Sequence, residues 1–155
     1  MRAVLDTSAF FSMEDVGPGV EAFTTASVLA ELEKFGDRRS DFLRHKVLVT
    51  EPTGASMKKV KEASRQTGDS SRLSLTDQEV LACALDLGGE IWTDDYSIQN
   101  MARKMGIPYR PVGLKGIRQL VHWRYKCTSC GHTMDKEQPD CPICGGAVRT
   151  TRSKK

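Results

Sequence analysis

The stretch LSLTDQEVLACALDLGGEIWTDDYSIQNMA, residues 73–102, decides the fold class. Thr76-Asp77-Gln78-Glu79 reads as a capping box, a pairing in which two side chains satisfy N–H groups left free at a helix start. Val80, Leu81, Ala84 and Leu85 continue it at helical spacing, and Gly88-Gly89 ends it. Ile91-Trp92-Thr93 then reads as a short buried strand running into Asp94-Asp95. A further helix runs to about Met105, with a last short strand near Tyr109. Cys83, among Leu81, Ala82, Ala84 and Leu85, reads as a small core residue.

Toward the N-terminus the same alternation continues. Ala3-Val4-Leu5 is an apolar run ending in Asp6, the pattern of a buried strand that opens onto a polar edge. Phe23 and Thr24 are expected to form a short lead-in to a helix from near Thr25, which carries Val28, Leu29, Leu32 and Phe35 and stops at Gly36. Val47-Leu48-Val49 reads as a second strand, closed by Pro52. A basic amphipathic stretch from about Gly54 to Gln66 precedes a polar loop over residues 67–71. Strand and helix alternating over residues 1–112 predict an α/β fold, a mainly parallel sheet flanked by helices. Pro108, Pro111, Gly113 and Gly116 mark a change of style. The expected division is a first domain over residues 1–115, a linker over 116–122, a small metal-held ribbon over 123–150 and a basic tail over 151–155.

Among the 155 residues, 39% are hydrophobic and 28% charged, a composition that folds. No run approaches the ~18 apolar residues of a membrane span. The opening MRAVLDTSAFF lacks the features of an export signal, so the expectation is a cytoplasmic chain with no membrane partner. Residues 1–120 hold 16 basic and 17 acidic side chains, whereas residues 121–155 hold 7 and 3. A basic C-terminal region suits either nucleic acid or simple solubility.

Cys127, Cys130, Cys141 and Cys144 form two Cys-x-x-Cys pairs separated by ten residues. Two residues between cysteines let one tight turn offer both sulfurs to one ion, and four thiolates suit structural Zn²⁺. Gly131 and Gly145-Gly146 follow each pair, where the turn needs positive φ. So short a segment has too little core to fold alone, and metal ligation supplies the stability. His122 and His132 lie nearby, but four cysteines already complete the coordination. Trp123, Arg124, Tyr125, Lys126 and Arg149 interleave stacking faces with cations, a combination that suits single-stranded RNA. Packing of Trp123 and Tyr125 at the junction between domains is the alternative.

Ligands of open α/β sheets bind beyond the carboxyl ends of the strands. Asp6, Asp94 and Asp95 follow strands, Asp77 begins a helix and Glu31 lies on another. Converging carboxylates repel one another unless cations sit between them, and oxygen-only ligands select Mg²⁺ or Mn²⁺. Singly, each has a structural alternative: Asp77 favours a helix dipole, Asp94 or Asp95 could cap a helix, and Glu33 flanks the apolar stripe opposite Glu31.

VLDTSAFF at 4–11, TTASVLAELE at 24–33, LSLTDQEVLACAL at 73–85 and IWTDDYSIQNMA at 91–102 together resemble a PIN domain, a metal-dependent ribonuclease fold. The DDYSIQN segment followed by the four-cysteine ribbon is similar to the Nob1-type family of ribosome-biogenesis endonucleases, in its short archaeal form. The resemblance implies that Asp6, Glu31 and Asp77, with Asp94 and Asp95 sharing the fourth position, are catalytic acids holding Mg²⁺ or Mn²⁺. It also implies Ser8 and Thr93 as supporting polar residues, and it selects Glu31 over Glu33. The implied activity is an endoribonuclease that makes the mature 3′ end of precursor small-subunit (16S-type) ribosomal RNA. Its implied partners are that RNA, the small-subunit precursor particle and ribosome assembly proteins. The ribbon and Lys58, Lys59 and Lys61 would hold RNA by charge and stacking. Two alternatives stand beside it: a PIN-type toxin ribonuclease acting on transfer or messenger RNA, and a non-catalytic RNA-binding assembly factor.

Overall fold

The computed structural model describes residues 1–36, 40–113 and 123–152. The expected linker 116–122 with His122, and the tail from residue 153, lie outside them. The first unit runs β1 (Arg2–Leu5), α1 (Thr7–Ser12), β2 (Glu21–Thr24), α2 (Ala26–Phe35), α3 (Asp41–Arg44), β3 (Val47–Val49) and α4 (Gly54–Thr67). It continues with α5 (Leu75–Leu87), β4 (Glu90–Trp92), α6 (Tyr96–Met105) and β5 (Tyr109–Arg110). Its five strands form one parallel sheet in the order β3-β2-β1-β4-β5. The chain builds outward from β1 in one direction, then crosses back to build in the other. The strand order therefore reverses between β1 and β4, where open α/β sheets hold their ligands.

Phe23 and Thr24, expected as a short lead-in to a helix, belong to a strand over residues 21–24 at the interior of the sheet. Glu21-Ala22-Phe23-Thr24 has little strand signal of its own. It is recruited by parallel pairing on both sides, to Arg2–Val4 and to Val47–Val49, and by a bond from Thr24 Oγ1 to the Leu5 carbonyl of 2.9 Å. The cap of α5 also differs from expectation. Ser74, not Thr76, is the N-cap, and the capping box closes with Asp77 at the third helical position. Thr76 instead lies buried in the first turn.

The core fills the space between sheet and helices. Leu5, Phe10, Leu81, Trp92, Ile98 and Met101 are fully buried, each contributing roughly 1.5–3 kcal/mol. Cys83 belongs to this core, as its apolar neighbours imply.

The C-terminal unit is a three-stranded antiparallel sheet, β7-β6-β8, built from β6 (Trp123–Cys127), β7 (Thr133–Met134) and β8 (Val148–Arg152). It rests against the loop after α4. Arg72 stacks its guanidinium 3.4 Å from the Trp123 ring centroid and donates to Thr150 Oγ1 at 2.8 Å. Gly68 is required there twice over: its φ is +76°, and a Cβ would collide with the Trp123 carbonyl. Asp69, fully buried beside it, accepts from Thr67 and from Asn100 Nδ2 at 3.0 Å, with Trp123 as a further side-chain partner.

Candidate active site and metal centre

The register pairs Leu5 with Trp92, and Asp6 N–H donates to the Trp92 carbonyl at 3.2 Å. Asp6 and Thr93 therefore leave adjacent strands side by side. Thr93 Oγ1 donates to Asp6 Oδ2 at 2.7 Å and accepts from the Asp95 N–H at 3.0 Å. Ser8 Oγ repeats the arrangement, donating to the same Asp6 oxygen at 3.4 Å and accepting from the Asp94 N–H at 2.9 Å. Two hydroxyls thus lock Asp6 to the start of the Asp94-Asp95 segment.

The remaining acids close around a cleft of about 410 Å³ lined by Asp6, Glu31, Asp77, Asp94, Asp95 and the rings of Phe11 and Phe35. Glu31 Oε2 accepts from Thr7 Oγ1 at 2.9 Å, which ties α2 to α1. Asp77 uses Oδ2 to accept from the Ser74 N–H at 3.1 Å within the capping box. Asp95 is the N-cap of α6, its Oδ1 accepting from Ser97 N–H at 2.8 Å and Ile98 N–H at 3.2 Å. These bonds orient Glu31, Asp77 and Asp95, whose side chains line the cleft. Glu33 faces solvent, in a 4.0 Å ion pair with Arg44.

Asp94 and Asp95 separate by their partners. Asp94 Oδ1 accepts from the N–H groups of Val112 and Gly113 at 2.8 and 3.0 Å, holding the chain just before it leaves the first unit. Asp95 is among the charges that perturb both Asp6 and Asp77. Burial foremost, then Asp95 and Glu31, pushes Asp6 above the ordinary carboxylate range, against lowering bonds from Thr93 and the Thr7 N–H. Burial and then the charges of Asp95 and Asp6 bring Asp77 up to about 7, against bonds from Ser74. Such groups resist ionising together, and a divalent cation with hard oxygen preference relieves that resistance. The donor set fits Mg²⁺ or Mn²⁺.

The four cysteine sulfurs of the ribbon lie within 4.8 Å of one another. Cys127 and Cys144 sulfurs are 3.4 Å apart, and Cys130 and Cys141 sulfurs 3.7 Å. Four sulfurs at ~2.3 Å from one Zn²⁺ stand about 3.8 Å apart, so the cluster has the dimensions of a structural zinc site. The Cys130 N–H foremost, with that of Ser129, brings the Cys127 thiol down to about 6, favouring the thiolate a metal needs. Gly131 and Gly145 turn with φ of +78° and +74°, as the spacing requires.

Among the residues expected to meet RNA, Arg124 and Lys126 share one face of β6, and Arg149 lies opposite Lys126 on β8. Trp123 lies under Arg72, Tyr125 is buried, and Arg124 Nε donates to Asp135 Oδ1 at 3.0 Å. The packing alternative describes Trp123 and Tyr125. Arg149 is exposed and Lys126 half-buried, while Lys58, Lys59 and Lys61 form an exposed basic run on α4. Two cleft residues, Thr7 and Phe11, carried no expectation, and Phe35, expected on the apolar stripe of its helix, is exposed at the cleft. Their signal was spacing, since Phe35 follows Glu31, and Phe11 follows Thr7, by one helical turn.

Residues 3–87 match the family described as the PIN domain of ribonuclease. Endoribonuclease Nob1 of Methanothermobacter thermautotrophicus is 39% identical over 99% of this chain and 95% of its own length. Ribonuclease VapC1 of Thermoplasma acidophilum is 35% identical over 100% of this chain and 80% of its own. A PilT N-terminus domain protein of Sulfolobus solfataricus superposes with a TM-score of 0.52 at 20% identity, over 72% of this chain and 87% of that one. The last of these is a likeness of fold.

Proposed function

Because the chain belongs to the PIN-domain ribonuclease family, in its Nob1-type branch, we propose that it acts in ribosome biogenesis as a metal-dependent endoribonuclease. The substrate we assign is precursor small-subunit (16S-type) ribosomal RNA, cut to its mature 3′ end. The observation that carries this reading is the cleft itself: Asp6, Glu31, Asp77 and Asp95 meet at the reversal point of a parallel sheet. When bound there, Mg²⁺ or Mn²⁺ supplies activation of water and charge neutralisation for in-line attack on a phosphodiester.

The cleft residues divide the work. Asp6 would hold the metal, with Thr93 and Ser8 fixing its carboxylate through Oδ2. Glu31, Asp77 and Asp95, oriented by their own hydrogen bonds, would contribute further carboxylate oxygens. Asp94 holds Val112 and Gly113 through Oδ1 and, lining the same cleft, would stand with Asp95 near the metal. Burial and the neighbouring charges raise the pKa of Asp77 to about 7, so its carboxyl would release a proton where a cation binds. The exposed lysines of α4 and Arg149 on the ribbon attract the RNA backbone.

The test is cleavage of a labelled RNA spanning the 3′ end of the small-subunit RNA and its trailer, with Mn²⁺, with chelator, and with Asp6→Asn. The expected result is one metal-dependent cut that leaves a 3′-hydroxyl and is absent in the variant. The likeness to Ribonuclease VapC1 favours a second reading, a toxin-type ribonuclease. Cutting of transfer or messenger RNA in preference to the ribosomal fragment would select it. Binding without cleavage in any divalent metal would select the non-catalytic assembly factor.

A further inference from the structure

Phe35 is 67% exposed at the end of α2, although it lines the acidic cleft. An aromatic side chain with no polar atom gains nothing from water, and it cannot hold a cation as its acidic neighbours do. Among the described residues its ring neighbour is Phe11, with centroids 5.7 Å apart and planes at 81°. A T-shaped contact uses the face of only one ring of a pair, so π-face remains on offer at the cleft mouth.

The two helices make this pair in step with the acids. Thr7 and Phe11 are one turn apart on α1, Glu31 and Phe35 one turn apart on α2, and the rungs Thr7–Glu31 and Phe11–Phe35 both join the helices. One helical turn, about 5.4 Å, is the scale of a single nucleotide step. We propose that Phe35, supported by Phe11, is a stacking subsite for an unpaired nucleobase adjoining the phosphate that the acids address. This rests on the reading of the cleft as a ribonuclease site and adds to it a demand on the substrate: the nucleotide at this position must be free of a duplex. A phenyl face offers no hydrogen bond, so the subsite selects single-stranded character rather than base identity.

The experiment reads binding separately from turnover. Anisotropy of a fluorescein-labelled single-stranded oligoribonucleotide is measured on full-length chain carrying Asp6→Asn, in Mn²⁺, with Phe35 unchanged or replaced by Leu or Trp. Phe35→Leu keeps apolar bulk and removes the π-face; it should weaken binding about tenfold, the order of one base–aromatic stack. Phe35→Trp should bind at least as tightly as the parent. Thermal melting should stay unchanged in both, since the ring is exposed. An abasic nucleotide at one position of the RNA should erase the difference between Phe35 and Leu, and at other positions leave it intact. Equal binding by Phe35 and Leu overturns the subsite, and a change in self-association instead would make the patch a protein-docking surface. An effect that survives every abasic substitution also overturns it. Cleavage that ignores chelator and Asp6→Asn would sink the metal-nuclease reading while leaving the stacking result standing. Absence of RNA binding by every form defeats both.

Discussion

Asp6, Glu31, Asp77 and Asp95 come from four separate elements, whereas Cys127, Cys130, Cys141 and Cys144 lie within one short segment. The cleft is assembled by topology: a parallel register sets Asp6 beside Thr93, and helix starts aim Asp77 and Asp95. The ribbon is assembled by spacing, through two turns that each present a pair of sulfurs. Energetics follow the same division. A buried core holds the acids together against their repulsion, which leaves Asp6 and Asp77 reluctant to ionise. In the ribbon, backbone N–H groups draw Cys127 toward the thiolate, and among the described residues the buried hydrophobics are Tyr125, Met134 and two cysteines. The fold alone makes the cleft; in the ribbon a bound metal would replace a core.

The largest expected effect tests that difference directly. Structural zinc contributes about 10–16 kcal/mol at neutral pH in small domains. Cys127→Ser should therefore unfold the ribbon while residues 1–112 keep their protected amides in hydrogen exchange. Collapse of the parallel sheet as well would break the comparison.

A smaller, pH-dependent effect belongs to the cleft. Asp77 is raised from 3.8 to about 7, so its proton binds the folded chain more tightly than the unfolded one. Its contribution to metal-free stability is present below about pH 4 and is lost as pH rises through about 7. Cation binding requires the ionised acid. The rise in Tm with Mg²⁺ or Mn²⁺ should thus be slight near pH 5 and reach several degrees near pH 8, as about 2.7 kcal/mol at a hundredfold excess over Kd implies. Scanning fluorimetry across that range checks it, and a shift indifferent to pH would contradict a coupled acid cluster.

Gly68→Ala probes the junction. A left-handed non-glycine residue costs on the order of 1–2 kcal/mol, and the collision with the Trp123 carbonyl adds to it. Faster proteolytic separation of the two units, with zinc retained, is the expected result. The smallest effect is that of Arg124→Ala, which removes an exposed ion pair with Asp135 worth less than about 1 kcal/mol. If Arg124 also reaches RNA phosphate, the salt dependence of binding becomes shallower by about 0.7 in log–log slope.

Sequence reading found what is encoded locally and missed what neighbours impose. β1, β3 and β4 are apolar runs with clear ends, and the cysteine spacing states its own geometry. β2 contains one large apolar residue and an exposed Glu21; its strand character comes from the two strands beside it. The cap of α5 was misread because Thr76 to Glu79 matches the common capping pattern, while Ser74 closes the box with the shorter Asp77. Glu31 and Glu33 were indistinguishable by helical period, since the side facing α1 is decided by packing that the period does not contain. The packing of Trp123 under Arg72 was not legible, because the two lie fifty-one positions apart.

The anchoring of three carboxylates carries a consequence for affinity. Their orientations are already set by Thr7, Ser74 and the α6 N-terminus. A cation that bound there would have few side chains to immobilise, because folding has already met that ordering cost. The cleft is in this sense a ready-made socket.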